Sequence, residues 1–285
     1  MTFHIRRPVV VLGLTILALA SLPVTATADQ WESYHWGRQV NPFTLRLGDN
    51  VSGAWDAHLR GASSDWSAST VLDTVIVTGG TLRRSCDPTT GSVEVCSARY
   101  GDTGWLGLAT IWTNGDHITQ ATVKVNDTYF DTPKYDKPAW RNFVMCHEVG
   151  HTLGLAHQDE DLENPSLGTC LEYTDRPKSN QHPNRRDYKD LRAIYAEVDS
   201  ITTVSSAPLE RSTDQATATQ DWGAAVPGTV DGRTQTYVAD LGQGRLVITM
   251  VIRSDPPPGR PGRPGPPETE WPAPPSPVSA AVWAV

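Results

Sequence analysis

The chain has 285 residues, of which 38% are hydrophobic, and this content is enough for one sizeable core with appendages. Its 32 acidic and 24 basic side chains give a formal net charge of −8 at pH 7. An acidic surface argues against nucleic acid and anionic membranes as partners, because both are themselves negatively charged.

The N-terminus has the three parts of a secretory signal peptide. Arg6 and Arg7 provide the basic start, and Val9–Leu22 is an apolar run. Ala26–Ala28 has the A-x-A pattern of a cleavage site. The run of about 14 apolar residues is shorter than the roughly 20 that span a bilayer, which disfavours a membrane anchor. We therefore predict that residues 1–28 are removed and that the mature chain is secreted, extracellular and free of the membrane.

The four cysteines suit an oxidising compartment, because their number is even. Cys86 and Cys96 bracket DPTTGSVEV, whose Asp-Pro and Gly favour a turn, so this local loop closes easily. Cys146 and Cys170 would then form the second pair. Four cysteines allow three pairings, and four free buried thiols are the remaining alternative.

Residues 29–200 alternate segments of helical and strand periodicity. Apolar residues at three- and four-residue steps predict helices in NVSGAWDAHLRGASSDW, YDKPAWRNFVMCHEVGHTLG and RRDYKDLRAIYAEVD. Segments rich in β-branched and aromatic residues predict strands, namely LDTVIVTGG, SVEVCSARYG, LGLATIW and HITQATVKVNDTYF. A helix followed by several strands and two further helices is typical of an α+β domain.

The rest of the chain differs from this domain in amino-acid composition. Residues 201–254 begin with a linker rich in Ser, Thr and Ala, and they then contain TQTYVADLGQGRLVITMVI. This pattern predicts a β-hairpin around Gly242–Gly244 that could pack on the main domain. Residues 255–285 are proline-rich, which predicts an extended, disordered tail.

The segment MCHEVGHTLGLAH combines histidines, a glutamate and glycines at fixed intervals. His147 and His151 are four residues apart and lie on one helix face, where two imidazoles can bind one zinc ion. Gly154 permits the left-handed turn that would bring His157 back as a third ligand. Three protein ligands are typical of catalytic zinc, and the adjacent Glu148 could act as general base. The alternative is an amphipathic helix that carries histidines by chance.

The residues HEVGHTLGLAH resemble the signature of metzincin zinc endopeptidases, in particular a matrixin-like branch of small secreted bacterial proteins. The resemblance covers roughly residues 30–200. It implies a twisted mixed sheet with an active-site helix and a C-terminal helix. It also implies one catalytic zinc, bound by His147, His151 and His157, and hydrolysis of a protein or peptide substrate by a zinc-activated water with Glu148 as general base.

The resemblance further implies how substrate binds. Gly107–Trp112, with the sequence GLATIW, is similar to the metzincin strand whose edge pairs with an extended substrate backbone. We expect the protein to act as a monomer. A catalytically inactive zinc-binding module is the first alternative, and a zinc hydrolase of other amides, such as a cell-wall peptide, is the second.

Three features depart from the family pattern. Leu171, in GTCLEYT, stands where metzincins place a methionine beneath the zinc, and its similar volume predicts that the exchange is tolerated. Tyr173 has the offset of a tyrosine that approaches the metal in astacin-like members, although simple packing under the site is an equal alternative. The sequence shows no cysteine-bearing inhibitory prosegment. The extra His and Asp residues that form the structural zinc and calcium sites of vertebrate matrixins are absent here as a set. His117, in TNGDHITQ, is interpreted as a lone, exposed loop histidine, and we make no prediction about calcium.

Overall fold

The computed structural model describes Met1 and residues 34–206, 222–226 and 234–254. Apart from Met1, the predicted signal peptide lies outside the described residues, and so does the predicted tail at 255–285. The described residues form a mixed α/β structure with one twisted mixed sheet and few helices, as the sequence predicts at this level. Within these ranges, no helix is both long and apolar enough to cross a membrane.

The strands are numbered in chain order and share one sheet. They are β1 His35–Trp36, β2 Phe43–Asn50, β3 Leu72–Thr78, β4 Val93–Ala98, β5 Trp105–Asn114, β6 His117–Asn126, β7 Ala224–Ala225, β8 Thr234–Gly242 and β9 Arg245–Arg253. The helices are α1 Asp56–Trp66, α2 Asp127–Phe130, α3 Pro138–Thr152 and α4 Arg185–Ile194, with a short 3-10 turn at Pro177–Ser179. The first helix therefore starts later than the pattern predicted, because Asn50 still belongs to β2.

The strand order in the sheet is β3-β2-β4-β6-β5-β9-β8-β7, and β1 pairs with β6. Strands β3, β2, β4 and β6 run parallel to one another. Strand β5 runs antiparallel to both β6 and β9. The sheet is therefore mixed, and the direction changes at β5.

Helix α3 is the central helix of the domain. Pro138 stands in its first turn, where a missing N–H costs nothing. Every residue from Phe143 to Thr152 is buried, so the helix packs on all sides rather than through one stripe. It packs against α1, where the indole N–H of Trp66 donates to the carbonyl oxygen of Cys146 at 3.1 Å. This packing fixes the helix that carries the histidine motif.

Both predicted disulfides are confirmed. Cys86 is bonded to Cys96, and Cys146 is bonded to Cys170, with 5.9 Å between the Cα atoms of each pair. The second disulfide ties α3 to the segment that contains Leu171.

The predicted hairpin is present as β8 and β9, but its position corrects one prediction. Gly107–Trp112 was expected to be a free edge that pairs with substrate. Instead β9 pairs antiparallel with β5 from Trp105, opposite Arg253, to Asn114, opposite Arg245. The physical reason is that an uncovered edge leaves a row of backbone donors and acceptors unpaired, and the hairpin satisfies them.

Candidate metal centre

The structure brings the three histidines of the motif together. His147 and His151 project from neighbouring turns of α3, and His157 reaches them from the segment after the helix. The Nε2 atom of His157 lies 3.0 Å from Nε2 of His147 and 3.0 Å from Nε2 of His151. Each predicted ligand therefore presents one ring nitrogen to the same small volume.

The other ring nitrogens of the two helical histidines face backbone oxygens. Nδ1 of His147 lies 2.6 Å from the carbonyl oxygen of Cys170, and Nδ1 of His151 lies 2.8 Å from that of Leu155. Because a carbonyl oxygen only accepts hydrogen bonds, both Nδ1 atoms carry a proton and donate it. These bonds fix the orientation and the tautomer of both rings.

The third histidine is held by side chains. Nδ1 of His157 lies 3.1 Å from Oε1 of Glu160 and 3.1 Å from the hydroxyl of Tyr173. Tyr173 therefore contacts the side of His157 that faces away from the other histidines. Tyr173 was a candidate from the sequence, whereas Glu160 was not, because an acidic residue three positions after His157 is a weak signal on its own.

Burial keeps the three imidazoles neutral. Desolvation lowers the pKa of His147 and His151 well below the ordinary 6.5, and neighbouring imidazoles lower it further. Burial also lowers the pKa of His157, and it outweighs the opposite influence of Glu160. A neutral imidazole that is protonated on Nδ1 has a lone pair on Nε2. Lone pairs that meet without a proton between them repel each other, so the group favours a cation among its members.

The distances agree with those of a metal-ligand group. Zinc–nitrogen bonds are about 2.0–2.1 Å long, so two ligand nitrogens at a tetrahedral angle lie about 3.3 Å apart. The 3.0 Å between His157 Nε2 and each of its two neighbours is close to this value. His147, His151 and His157 could therefore hold a metal ion.

Gly154 makes the turn that returns His157 to the helix. Its φ of +90° lies in the left-handed region, as predicted from its place in the motif. Its backbone also passes so close to the N-terminal segment that a Cβ atom would stand 2.1 Å from the carbonyl oxygen of Tyr34. Both observations require glycine here.

Leu171 packs against helix α3. Its side chain is fully buried, and a Cβ atom at Gly150 would stand 3.0 Å from its Cδ2. Its carbonyl oxygen accepts from the N–H of Gln158 at 2.7 Å. The residue before it, Cys170, provides the oxygen that orients His147. Leu171 thus fills space under α3 within a segment that holds one of the three rings.

Glu148 is a buried carboxyl group without a hydrogen-bond partner. Both of its oxygens lack one among the residues that the structure describes. Burial raises its pKa well above the ordinary 4.5. It lies against β5, because a Cβ atom at Gly107 would stand 2.4 Å from Oε1. An unpaired carboxyl group next to a ligand histidine is costly to bury, which marks it as a candidate functional group.

A cleft opens beside His147. Aromatic and apolar side chains form much of its wall, and residues of β9 complete it; among the lining residues are Leu106, Tyr135, Trp140, Phe143, Tyr173, Ile252 and Arg253. The contribution of β9 could not be predicted from local sequence, because the residues of β5 and β9 that pair are more than a hundred positions apart.

His117 corrects a further prediction. It was interpreted as a lone, exposed loop histidine. In the structure it is the first residue of β6, its ring centroid lies 4.9 Å from that of His35, and its Nε2 lies 3.2 Å from Oδ1 of Asp199. The pattern could not show this, because both neighbours are distant in sequence.

A comparison with models of protein families finds no match, and a search of curated proteins finds no similar sequence. The functional interpretation therefore rests on the chemistry of the centre.

Proposed function

We propose that the chain is a secreted zinc-dependent endopeptidase of the metzincin type, in its matrixin-like branch, which hydrolyses peptide bonds. The observation that carries this proposal is the convergence of three neutral imidazoles beside a buried carboxyl group without a partner. Structural zinc sites close all four positions with protein ligands, whereas catalytic sites keep one open. The group of three histidines supports the catalytic kind.

His147, His151 and His157 would hold the zinc ion through Nε2. When bound, zinc supplies Lewis-acid chemistry, which polarises the scissile carbonyl and makes water more acidic. The chain contributes fixed ring orientations through the hydrogen bonds from Nδ1 to Cys170 and Leu155. These bonds also make the rings better ligands, as outer partners of zinc-bound histidines generally do.

Glu148 would move the proton. A carboxylate accepts a proton from the attacking water and later returns it to the leaving amine as general acid. Burial raises its pKa, which makes the carboxylate a better acceptor for the proton of the water. A merely structural metal site does not require such a group. The unpartnered Glu148 therefore favours an enzyme over the inactive zinc-binding module.

Three further features support the family resemblance. The helix, the glycine turn and the third histidine follow one another as in the metzincin signature, and Leu171 lies under the helix where the family places methionine. The mixed sheet also agrees with the implied fold. Secretion is supported by the two disulfides, which suit an oxidising compartment.

The test is cleavage of a mixed peptide library by the purified mature chain. The library is incubated with zinc-loaded protein, with protein plus a zinc chelator, and with Glu148→Gln, and the cuts are mapped by mass spectrometry. The proposal predicts cuts that require both zinc and Glu148. A zinc-loaded chain that leaves every peptide intact, whether or not β9 is paired with β5, would contradict the proposal and favour the zinc-binding module.

A further inference from the structure

A second group of ligand-type side chains lies away from the histidine motif. Nε2 of His35 and Nε2 of His117 each lie 3.2 Å from Oδ1 of Asp199. The three residues come from β1, from the start of β6 and from the segment after α4. Their ligand atoms are thus as closely spaced as those around one metal ion.

The carboxylate of Asp199 is oriented by an arginine. Its Oδ2 accepts from the guanidinium of Arg38 at 2.6 Å and from the backbone N–H of Arg38 at 3.1 Å. Oδ1 is left to face the two imidazoles. One oxygen on a metal and the other held by a donor is the usual arrangement of a carboxylate ligand with outer-shell support.

The two histidines differ in their geometry towards Asp199. Nε2 of His35 is hydrogen-bonded to Oδ1 at 3.2 Å. The Nε2 atom of His117 is buried and lies at the same distance from Oδ1, but outside the angles of a regular hydrogen bond. Buried polar atoms generally have a partner, so a bound ion would explain this nitrogen.

We propose that His35, His117 and Asp199 form a second metal site, separate from the histidine motif. Two imidazoles and one carboxylate suit a divalent first-row transition ion, with water in the remaining positions. The side chains are 16%, 26% and 17% exposed, so an ion can enter from solvent. The ion would link β1 to β6 and to the segment after α4. It would thereby stabilise the N-terminal part of the described residues.

The test is the number of zinc ions bound per full-length chain, measured by elemental analysis after dialysis against buffered zinc. We expect two in the parent, one in His117→Gln and one in His151→Ala. His182→Gln is the matched control, because His182 pairs with a single carboxylate, Asp65, at 2.7 Å. It should keep two.

The outcomes separate the two sites. If the parent binds one ion that His117→Gln keeps and His151→Ala loses, the second site does not exist. If the parent binds one ion that His117→Gln loses and His151→Ala keeps, the second site stands and the proposed function loses its metal centre. The zinc-dependent rise in the urea midpoint of unfolding should also shrink in His117→Gln but not in His182→Gln.

The three histidines of the motif and Glu148 are almost completely shielded from solvent. His147 and Glu148 are 0% exposed, His151 is 1% exposed and His157 is 5% exposed. Ile252 and the following residue of β9 line the cleft beside His147. The centre is thus covered on the side where β9 lies.

Strand β9 also takes the backbone partners that a substrate strand would use. Ile252 stands opposite Gly107, and Gly107 is the residue that contacts Glu148. An extended peptide adds to a sheet through the same main-chain hydrogen bonds that β9 makes with β5. A strand on the same chain competes strongly, because its effective concentration is high.

We infer, on the basis of the proposed function, that β9 is a built-in inhibitor that fills the substrate position until it separates from β5. The test uses Thr110 and Thr249, which are opposite each other with 3.1 Å between their Oγ1 atoms. The double variant Thr110→Cys/Thr249→Cys should form a disulfide that locks β9 on β5. The two single variants are the matched controls, because neither can form this link.

The locked chain should lose at least tenfold in the rate of peptide cleavage relative to both single variants, with the same zinc content. Thr249→Pro, which removes a backbone donor from the middle of β9, should raise the rate. Equal rates in the locked chain and the single variants would overturn the inhibitory role but leave the proposed function intact. If every zinc-loaded form, including Thr249→Pro, fails to cut, the proposed function fails and the inhibitory role with it.

Discussion

Gly107 on β5 and Glu148 on α3 are so close that a Cβ atom at residue 107 would stand 2.4 Å from Oε1 and 2.9 Å from Cγ of the glutamate. The same atom would stand 2.8 Å from Cγ1 of Val144. Because glycine has no side chain, the space next to β5 is free for the carboxyl group of Glu148. Strand β5 thereby determines where this carboxyl group can lie.

Gly107→Ala should displace Glu148 and slow peptide cleavage by at least tenfold while zinc remains bound. Overpacking in a well-packed core typically costs about 1–3 kcal/mol, so the free energy of unfolding should also fall. Gly61→Ala is the control, because no heavy atom lies within 4 Å of a Cβ there and alanine favours the helix α1. Unchanged cleavage by Gly107→Ala would mean that the position of Glu148 does not matter.

Gly154→Val should abolish zinc binding at the histidine motif. The positive φ disfavours a β-branched residue, and a Cβ atom would clash with the carbonyl oxygen of Tyr34, so His157 should be displaced. Gly101→Val separates the two effects, because Gly101 has a φ of +92° but no heavy atom within 4 Å of a Cβ. It should keep zinc in equilibrium dialysis against a competing chelator. Zinc retained by both variants would show that this turn does not position His157.

Leu171→Met should change stability by less than about 1.5 kcal/mol, the usual limit for a swap of similar volume. Zinc affinity should stay within a few fold, because the side chain fills space under α3 and does not coordinate. Leu171→Ala is the contrasting variant, since a cavity at a fully buried leucine costs about 2–5 kcal/mol. Urea unfolding and zinc titration measure both effects. A large loss of zinc affinity in Leu171→Met would point to a specific role for this position.

The two disulfides should differ in their effect on metal binding. Replacing Cys146 and Cys170 with alanine should weaken zinc binding, because the carbonyl oxygen of Cys170 holds Nδ1 of His147. Replacing Cys86 and Cys96 should lower stability, by about 2–5 kcal/mol, and leave zinc affinity unchanged. Zinc titration of the two double variants provides the comparison. Equal zinc affinity in both would show that the Cys146–Cys170 link does not support the site.

The raised pKa of Glu148 predicts a specific pH dependence for the chelator-treated protein. A carboxyl group whose pKa is higher in the folded than in the unfolded state stabilises the fold below its unfolded pKa, and this contribution is lost as pH rises towards the folded pKa. Glu148→Gln lacks this titration. Its free energy of unfolding, relative to that of the parent, should therefore increase as pH rises above 4.5. A difference that stays constant between pH 5 and 8 would contradict the burial of an unpaired carboxyl group.

Local sequence patterns predicted the features that depend on near neighbours. The four-residue spacing of His147 and His151 places both on one helix face, and Gly154 is required by the turn that follows. The Cys86–Cys96 pair follows from a short loop, and elimination then leaves the second pair. Each of these features depends on residues that are near one another in the sequence.

Features that depend on distant residues were missed. The hairpin was predicted, but its pairing with Gly107–Trp112 was not, because nothing local to β9 specifies which strand it joins. The sequence predicts a lone, exposed His117, because its neighbours His35 and Asp199 meet it only in the folded chain. The partner of a strand is set by which edge remains open once the core has packed.

The proposed role of Glu148 is proton transfer at a zinc ion held by His147, His151 and His157. Its most direct test compares the peptide-cleavage rates of the zinc-loaded parent and of Glu148→Ala at equal measured zinc content. We expect the variant to keep zinc and to lose at least about a hundredfold in turnover, because the general base is missing. A variant that holds the same zinc and cleaves peptides at the parental rate would contradict this role.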